Sequence, residues 1–383
     1  MRTRGTAPVV VGLALIWAAF YAANDRFLSA ANLTNLVLQI AAVGTIAAGL
    51  ALVLLLGEID LSAGVVSGLC AGVMAILHVK QGWGPLPALL AGLASGAAIG
   101  TFHGLWITRL RVPSFVVTLA GLLAWQGALL HVLGGTGTVN LPESPITALA
   151  GTFFGPAVTW PMAGIAVLVH GAALWADRRA RSKAGLPLPP WRAPAARLLV
   201  TASAVVAATG VFSQDRGLPL AVLIFVGLVA SVDVVLRRTR FGRHVLAVGG
   251  NAEAARRAGI RVDRIRLAVF AAGSTFAAAG GVLAASRLLA VNQSSGSGDV
   301  LLDAIAAAVI GGTSLFGGRG SAWSALLGAL VIGSISNGMD LLALPSSVKL
   351  MVTGAVLLVA ASIDALGLGK PPFAALRRVR RAA

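Results

Sequence analysis

The chain has 383 residues, 57% of them hydrophobic and only 11% charged, with a mean hydropathy of +0.88. So little polar surface cannot cover a water-soluble domain, and the chain belongs in a bilayer. The net charge of +17 would suggest nucleic acid in a soluble protein. Here the arginines cluster between apolar runs, a pattern that sets membrane orientation and implies no nucleic-acid function.

Charges, prolines and glycines divide the chain into twelve candidate spans, at roughly 8–23, 34–56, 61–79, 86–108, 114–133, 161–176, 196–212, 218–236, 264–286, 299–313, 321–338 and 345–366. The expectation is an all-α polytopic membrane protein of about 12 helices, within a range of 10 to 12. The first span follows Met1, Arg2, Thr3 and Arg4 without a small-x-small cleavage site and reads as an uncleaved helix. Span 61–79 follows its neighbour almost without a loop, and 299–313 is short enough for a half-helix. With the N-terminus inside, Lys and Arg divide 25 inside to 5 outside, which predicts an N-in, C-in topology for a single transmembrane domain over 1–383.

Along the chain, Gly57-Glu58-Ile59-Asp60-Leu61-Ser62-Ala63-Gly64 sets two carboxylates between apolar runs. It is either a tight turn at the membrane edge or a broken helix lining a pathway. Asp60 or Ser62 can cap the following helix, and a capping and a gating role both stay open. Cys70 stands alone in an apolar run, so no intrachain disulfide is available, and it reads as a small lipid- or protein-facing residue. Gly92, Ser95, Gly96 and Gly100 recur at helical spacing, as do Ala277, Gly280, Gly281 and Ala284, which points to close helix packing. The outer stretch from about 134 to 160 contains no Lys or Arg and several prolines; it is either a surface for an external partner or a passive cover. Residues 177–197 read as an irregular, basic, Pro-rich cytoplasmic linker.

Between Arg237 and Arg266 nine arginines stand against Glu253 and Asp263, so this polar island is expected in the cytoplasm. Asn251 suits an N-cap, Glu253 the first helical turn, and Gly259 the left-handed position that ends a helix. A helix of about two turns follows, either part of a solvated basic loop or a docking handle. Further on, the stretch from Gly296 to Gly320 is a second break, with Asp303 near the start of a short helix, where a carboxylate needs a partner or a wet cavity. Asn337, Gly338 and Asp340 form a third polar cluster at an outer helix end. The five histidines have no metal-ligand spacing, and no nucleotide loop or catalytic motif occurs, so the sequence points to transport rather than catalysis.

Four pieces in order, Gly57-Glu58-Ile59-Asp60-Leu61-Ser62, Val112-Pro113-Ser114-Phe115-Val116-Val117-Thr118-Leu119, Thr239-Arg240-Phe241-Gly242-Arg243 running into Gly249-Gly250-Asn251-Ala252-Glu253-Ala254-Ala255, and Leu302-Asp303-Ala304-Ile305-Ala306-Ala307 with Ile310-Gly311-Gly312-Thr313-Ser314-Leu315, resemble the permease subunits of bacterial ABC sugar importers. These form the ribose, xylose and galactose group of a family shared with branched-chain amino-acid permeases. The resemblance runs from about Asn32 to Ala365, and Glu58 departs from it, standing where many members have Gly. It implies that 237–266 is the coupling loop of a type II importer permease in the bacterial inner membrane. Asn251, Glu253, Ala254, Ala255, Arg256, Arg257 and Gly259 are then the candidate ATPase-coupling residues.

The resemblance also implies two ATPase subunits that hold the ATP, an extracytoplasmic sugar-binding protein, and a second permease copy. No cofactor is expected on this chain. Asp60, Ser62, Asp303 and Asn337 are candidate gate or pathway residues. The additional pair of spans 161–176 and 196–212, absent from shorter members, resembles xylose-type permeases in particular. Alternatives are another pentose, a hexose or a branched-chain amino acid as cargo. A secondary carrier, with Asp60 or Asp303 coupling to a cation, is a competing class.

Overall fold

The structure is a computed structural model that describes residues 7–368. Residues 1–6 and the basic segment 370–381, both used in the orientation count, lie outside the described residues. The helices are α1 (Ala7–Ala23), α2 (Ala30–Leu55), α3 (Ala63–Ala75, extended by a π-turn over Ile76–Lys80), α4 (Pro85–Arg109), α5 (Ser114–Leu133), α6 (Pro145–Gly151), α7 (Pro156–Lys183), α8 (Arg192–Ser213), α9 (Leu220–Arg238), α10 (Arg240–Gly250), α11 (Ala252–Arg257), α12 (Val262–Leu288), α13 (Asp299–Ile310), α14 (Ala322–Leu341) and α15 (Ser346–Leu368). Four short strands accompany them: β1 (Thr138–Asn140), β2 (Phe153–Phe154), β3 (Leu218–Pro219) and β4 (Ala290–Asn292).

Among the described residues nine helical stretches are long and apolar enough to cross a membrane, and two shorter apolar helices, Val9–Ala23 and Ser346–Val359, stand beside them. The 12-residue α13 is a half-helix: at about 1.5 Å per residue it falls well short of a bilayer core of about 30 Å. The fold is thus mostly helical.

At its centre α12 packs against α2, α3 and α4, and α14 joins α2 to α13. Lipid tails are as apolar as leucine, so burying apolar area supplies little force between these helices; close packing must supply it. The small-residue spacing serves that packing. A Cβ on Gly96 would lie 2.6 Å from the Ser274 carbonyl oxygen, and one on Gly281 only 2.0 Å from that of Ser67. Cys70 faces protein, fully buried in this seam. At the periphery, the indole of Trp17 donates to Ser334 Oγ at 2.8 Å and docks α1 on α14.

Two stretches differ from their predicted forms. The outer segment is built rather than loose: β1 pairs antiparallel with β4 and β2 with β3, so an all-α description omits two small ribbons. Within it, α6 is latched to α12, because Ser286 Oγ accepts from Ala150 N at 2.9 Å and donates to the Thr147 carbonyl at 3.0 Å. The basic linker is also narrower than 177–197. Helix α7 continues to Lys183 and α8 starts at Arg192, so only 184–191 is irregular. Aqueous arginines near a helix end are compatible with helix, and the prolines lie in the connection or in the first turn of α8.

Gly281→Ala is expected to lower the melting temperature of the detergent-solubilised chain markedly, because the new methyl meets backbone and overpacking costs about 1–3 kcal/mol. Gly227→Ala on α9, where a Cβ meets nothing within 4 Å, should leave it unchanged or raised. Equal melting temperatures for the two variants would contradict the packing account.

Candidate coupling junction and membrane breaks

The polar island folds as two helices at a right-sized break. Thr239 caps α10, its hydroxyl accepting from Gly242 N at 3.1 Å. Phe241, Val245 and Val248 recur at helical spacing and turn one face of α10 inward, Val245 and Val248 being buried. This helix was not anticipated, although the Thr239 cap and that spacing signal it. The chain then turns extended at Asn251, whose side chain accepts from Ala254 N at 2.9 Å and starts α11. Gly259 follows the last turn with φ +82°, as its predicted role requires.

Helix α11 presents two unlike sides. Glu253, Ala254, Arg256, Arg257 and Gly259 are exposed, whereas Ala255 is buried and joins the core, so it anchors α11 to the bundle. Glu253 lies 3.2 Å from Arg257 Nε and 3.7 Å from Arg256, which also reaches Asp263 at 3.9 Å. These pairs are solvated and contribute only a few tenths of a kcal/mol each. They leave the handle's surface charged and open.

What fixes the root of this α10–α11 island is backbone. At the end of α2 the Leu55 carbonyl accepts from Gly318 N at 2.9 Å, and a Cβ on Gly249 would lie 1.7 Å from that same oxygen. Gly317, at φ +80°, is pressed against Gly249 and Gly57. Three glycine-bearing ends therefore meet at one point: the end of α2, the end of α10, and the turn between α13 and α14.

The Gly57–Ser62 stretch leaves helical geometry between α2 and α3. Ile59 N donates to Ser114 Oγ at 3.4 Å, and Leu61 N to Thr118 Oγ1 at 3.1 Å, one turn further along α5. The chain between α2 and α3 thus runs beside the first turns of α5, which supply partners for two of its amides. Asp60 Oδ1 accepts from both the amide and the hydroxyl of Ser62, at 2.8 and 2.7 Å, and both residues are buried. Ser62 occupies the N-cap position of α3, but its side chain bonds Asp60 and no helix amide. Glu58 forms an ion pair of 2.8 Å with Arg266, tying the break to α12. Nearby, His103 Nε2 accepts from Trp125 Nε1 at 2.9 Å, so the neutral ring carries its proton on Nδ1, which is buried and has no hydrogen-bond partner.

The second break meets the first at α3. A Cβ on Gly68 would sit 1.8 Å from the Ser295 carbonyl oxygen, and one on Gly64 2.5 Å from that of Gly296. The chain after β4 therefore descends along α3 toward its N-terminal turn before α13 begins. Asp303 is not drawn into this meeting place. With Asp299, it lines an open cavity between α13, α14 and α15 that also presents Ser336, Lys349 and Thr353. Asn337 is buried, and its amide is exchanged with that of Asn32 at 2.8 and 3.1 Å, which braces the start of α2 against α14. Asp340 pairs with Lys349.

Thr118→Val keeps shape but leaves the part-buried Leu61 amide without its acceptor, a cost toward the lower end of the range of about 1–3 kcal/mol for an unsatisfied donor. Its melting temperature in detergent should fall well below that of Thr118→Ser, which keeps the hydroxyl; equal values would contradict the bracing role.

The family described as "Branched-chain amino acid transport system / permease component" matches residues 32–361. The xylose transport system permease protein XylH of Escherichia coli strain K12 is 40% identical over 343 residues, 89% of this chain and 86% of its own. XylH of Haemophilus influenzae is 38% identical, covering 93% and 95% of the two chains. The ribose import permease protein RbsC of Bacillus subtilis is 33% identical, covering 89% and 87%. No solved structure matches. With a buried helical core of membrane-crossing length and a match that takes in both breaks and the α10–α11 island, the chain belongs to this family of transporter permease components.

Proposed function

We propose that the chain is the membrane permease of an ATP-driven importer for D-xylose in the bacterial inner membrane. The observation that carries the mechanism is α11, a capped, exposed two-turn handle whose root is seated at the end of α2. The similarity to XylH chains supports xylose as cargo. In this reading twelve membrane segments, α13 among them as a half-helix, run N-in and C-in, and two copies form a homodimer around the pathway. A sugar-binding protein delivers the cargo outside.

Inside, a separate ATPase subunit takes Glu253, Ala254, Arg256 and Arg257 into a cleft, while Ala255 holds the handle to the bundle. Closure of the ATPase pair moves α11, and α10 carries the displacement to Leu55 and to the α13–α14 turn. The ends of α2 and α13 shift together, and each leads into a break: Gly57–Ser62 after α2, and the descending chain before α13. Asp60 and Ser62 keep the first break's conformation, and Asp303 with Ser336 offers hydroxyl-compatible groups beside the second. Asn337 acts as a brace. This chain binds no cofactor, and ATP is consumed on the partner subunit.

Vesicles holding this chain, the ATPase and the sugar-binding protein are expected to take up radiolabelled xylose in an ATP-dependent way, with ribose competing weakly. Glu253→Arg sets three like charges together on α11, costing only a few tenths of a kcal/mol of helix stability, yet uptake should fall about tenfold or more, as expected when a docking charge pair worth about 2 kcal/mol is reversed. Xylose accumulation by the chain alone, collapsed by an ionophore, would contradict the proposal and favour a secondary carrier.

A further inference from the structure

The α7–α8 hairpin stands apart from the coupling machinery. In both helices only 11% of the most apolar window is buried, and their main packing partner is each other, with α8 touching α2. Most of the remaining surface of the pair is exposed in the single chain. At the connecting turn the charge is one-sided: 177–197 holds six basic residues against Asp177, which Arg181 takes at 3.2 Å. Lys183, Arg192 and Arg197 are exposed and have no ion-pair partner among the described residues.

The turn is nonetheless shaped. Arg178 Nη1 donates to the Pro189 carbonyl at 2.7 Å, and the same guanidinium stacks 4.0 Å over the Trp191 ring. Arg179 lies 5.2 Å over the ring of Trp175. The 184–191 connection is thereby folded back on α7, with Leu186, Leu188 and Trp191 exposed close in sequence to the free cations. Exposed tryptophan and leucine beside lysine and arginine, at the end of a lipid-facing helix pair, is the composition that favours the boundary between headgroups and acyl chains. A protein partner would explain the charge but not the apolar tips placed where helices leave the bilayer.

We propose that this turn is a binding site for anionic phospholipid headgroups. Lys183, Arg192 and Arg197 receive the phosphate charge, Trp191 and the two leucines enter the boundary layer, and the Arg178 clasp holds the loop in the receptive shape. The site fixes the lateral hairpin to its leaflet, and α8 passes that restraint to α2.

The test is native mass spectrometry of the full chain in mild detergent, titrated with dioleoyl phosphatidylglycerol or dioleoyl phosphatidylcholine. Wild-type protein is expected to retain phosphatidylglycerol at least about tenfold more tightly than phosphatidylcholine, since each basic residue near anionic lipid contributes about fivefold. Lys183→Gln/Arg192→Gln/Arg197→Gln should abolish that preference, and a control triple, Arg238→Gln/Arg240→Gln/Arg264→Gln, should largely keep it. All five substituted arginines and the lysine are exposed, so folding is spared, and an unchanged melting temperature checks this. Equal lipid preference in wild type and hairpin triple would overturn the proposal, as would an equal loss in both triples. Hydrogen-exchange protection of 184–191 that arises only when the ATPase subunit is added would also overturn it, assigning the turn to that partner.

Discussion

The Leu55 carbonyl oxygen is the point on which the meeting of α2, α10 and the α13–α14 turn depends. It closes α2, accepts from Gly318, and is approached by Gly249 so closely that no side chain fits between them. Because glycines form this contact, nothing flexible separates the three backbones. Packed interiors respond to displacement by moving whole elements rather than by compressing. In the proposed mechanism a push on α11 is a push on the end of α2 and on the α13–α14 turn, and the charged contacts around Glu253 add little to that rigidity.

The same logic runs through the membrane. Each stretch that leaves helical geometry must find partners for its backbone, and this chain supplies them from particular residues: Ser114 and Thr118 for the first break, and α3's glycines as a bed for the second. The first break runs into the N-terminal end of α3, and the second, remote in sequence, descends along α3 to Gly64. In the proposed mechanism, movement at the Leu55 junction reaches both, a route from coupling helix to pathway that needs no long chain of side chains.

Much of this was legible in the sequence. Asn251, Glu253 and Gly259 announced α11 because capping is local chemistry, and the spacing of Gly96 and Gly281 announced close packing because it repeats with the helix. The half-helix at α13 followed from length alone. What stayed hidden depends on the third dimension. Nothing at Glu58 names Arg266 as its partner, and nothing at Asn337 says that Asn32 would occupy its amide. Ala255 looked like its neighbours until the orientation of α11 turned it inward. Helix α10 was missed because arginines masked its apolar face, and the ribbons β1–β4 and β2–β3 because strands of two or three residues carry no periodicity.

The central claim, that the handle drives transport through the Leu55 contact, is tested most directly by sugar transported per ATP hydrolysed in vesicles bearing Gly249→Ala. A methyl there must displace the Leu55 carbonyl, whereas Gly250→Ala, where a Cβ meets nothing within 4 Å, displaces nothing. The account predicts that the Gly249 variant still inserts and co-purifies with the ATPase but transports about tenfold less xylose per ATP, an effect expected where misplacement is relayed through packed backbone, while the Gly250 variant matches wild type. Wild-type coupling in the Gly249 variant would contradict it.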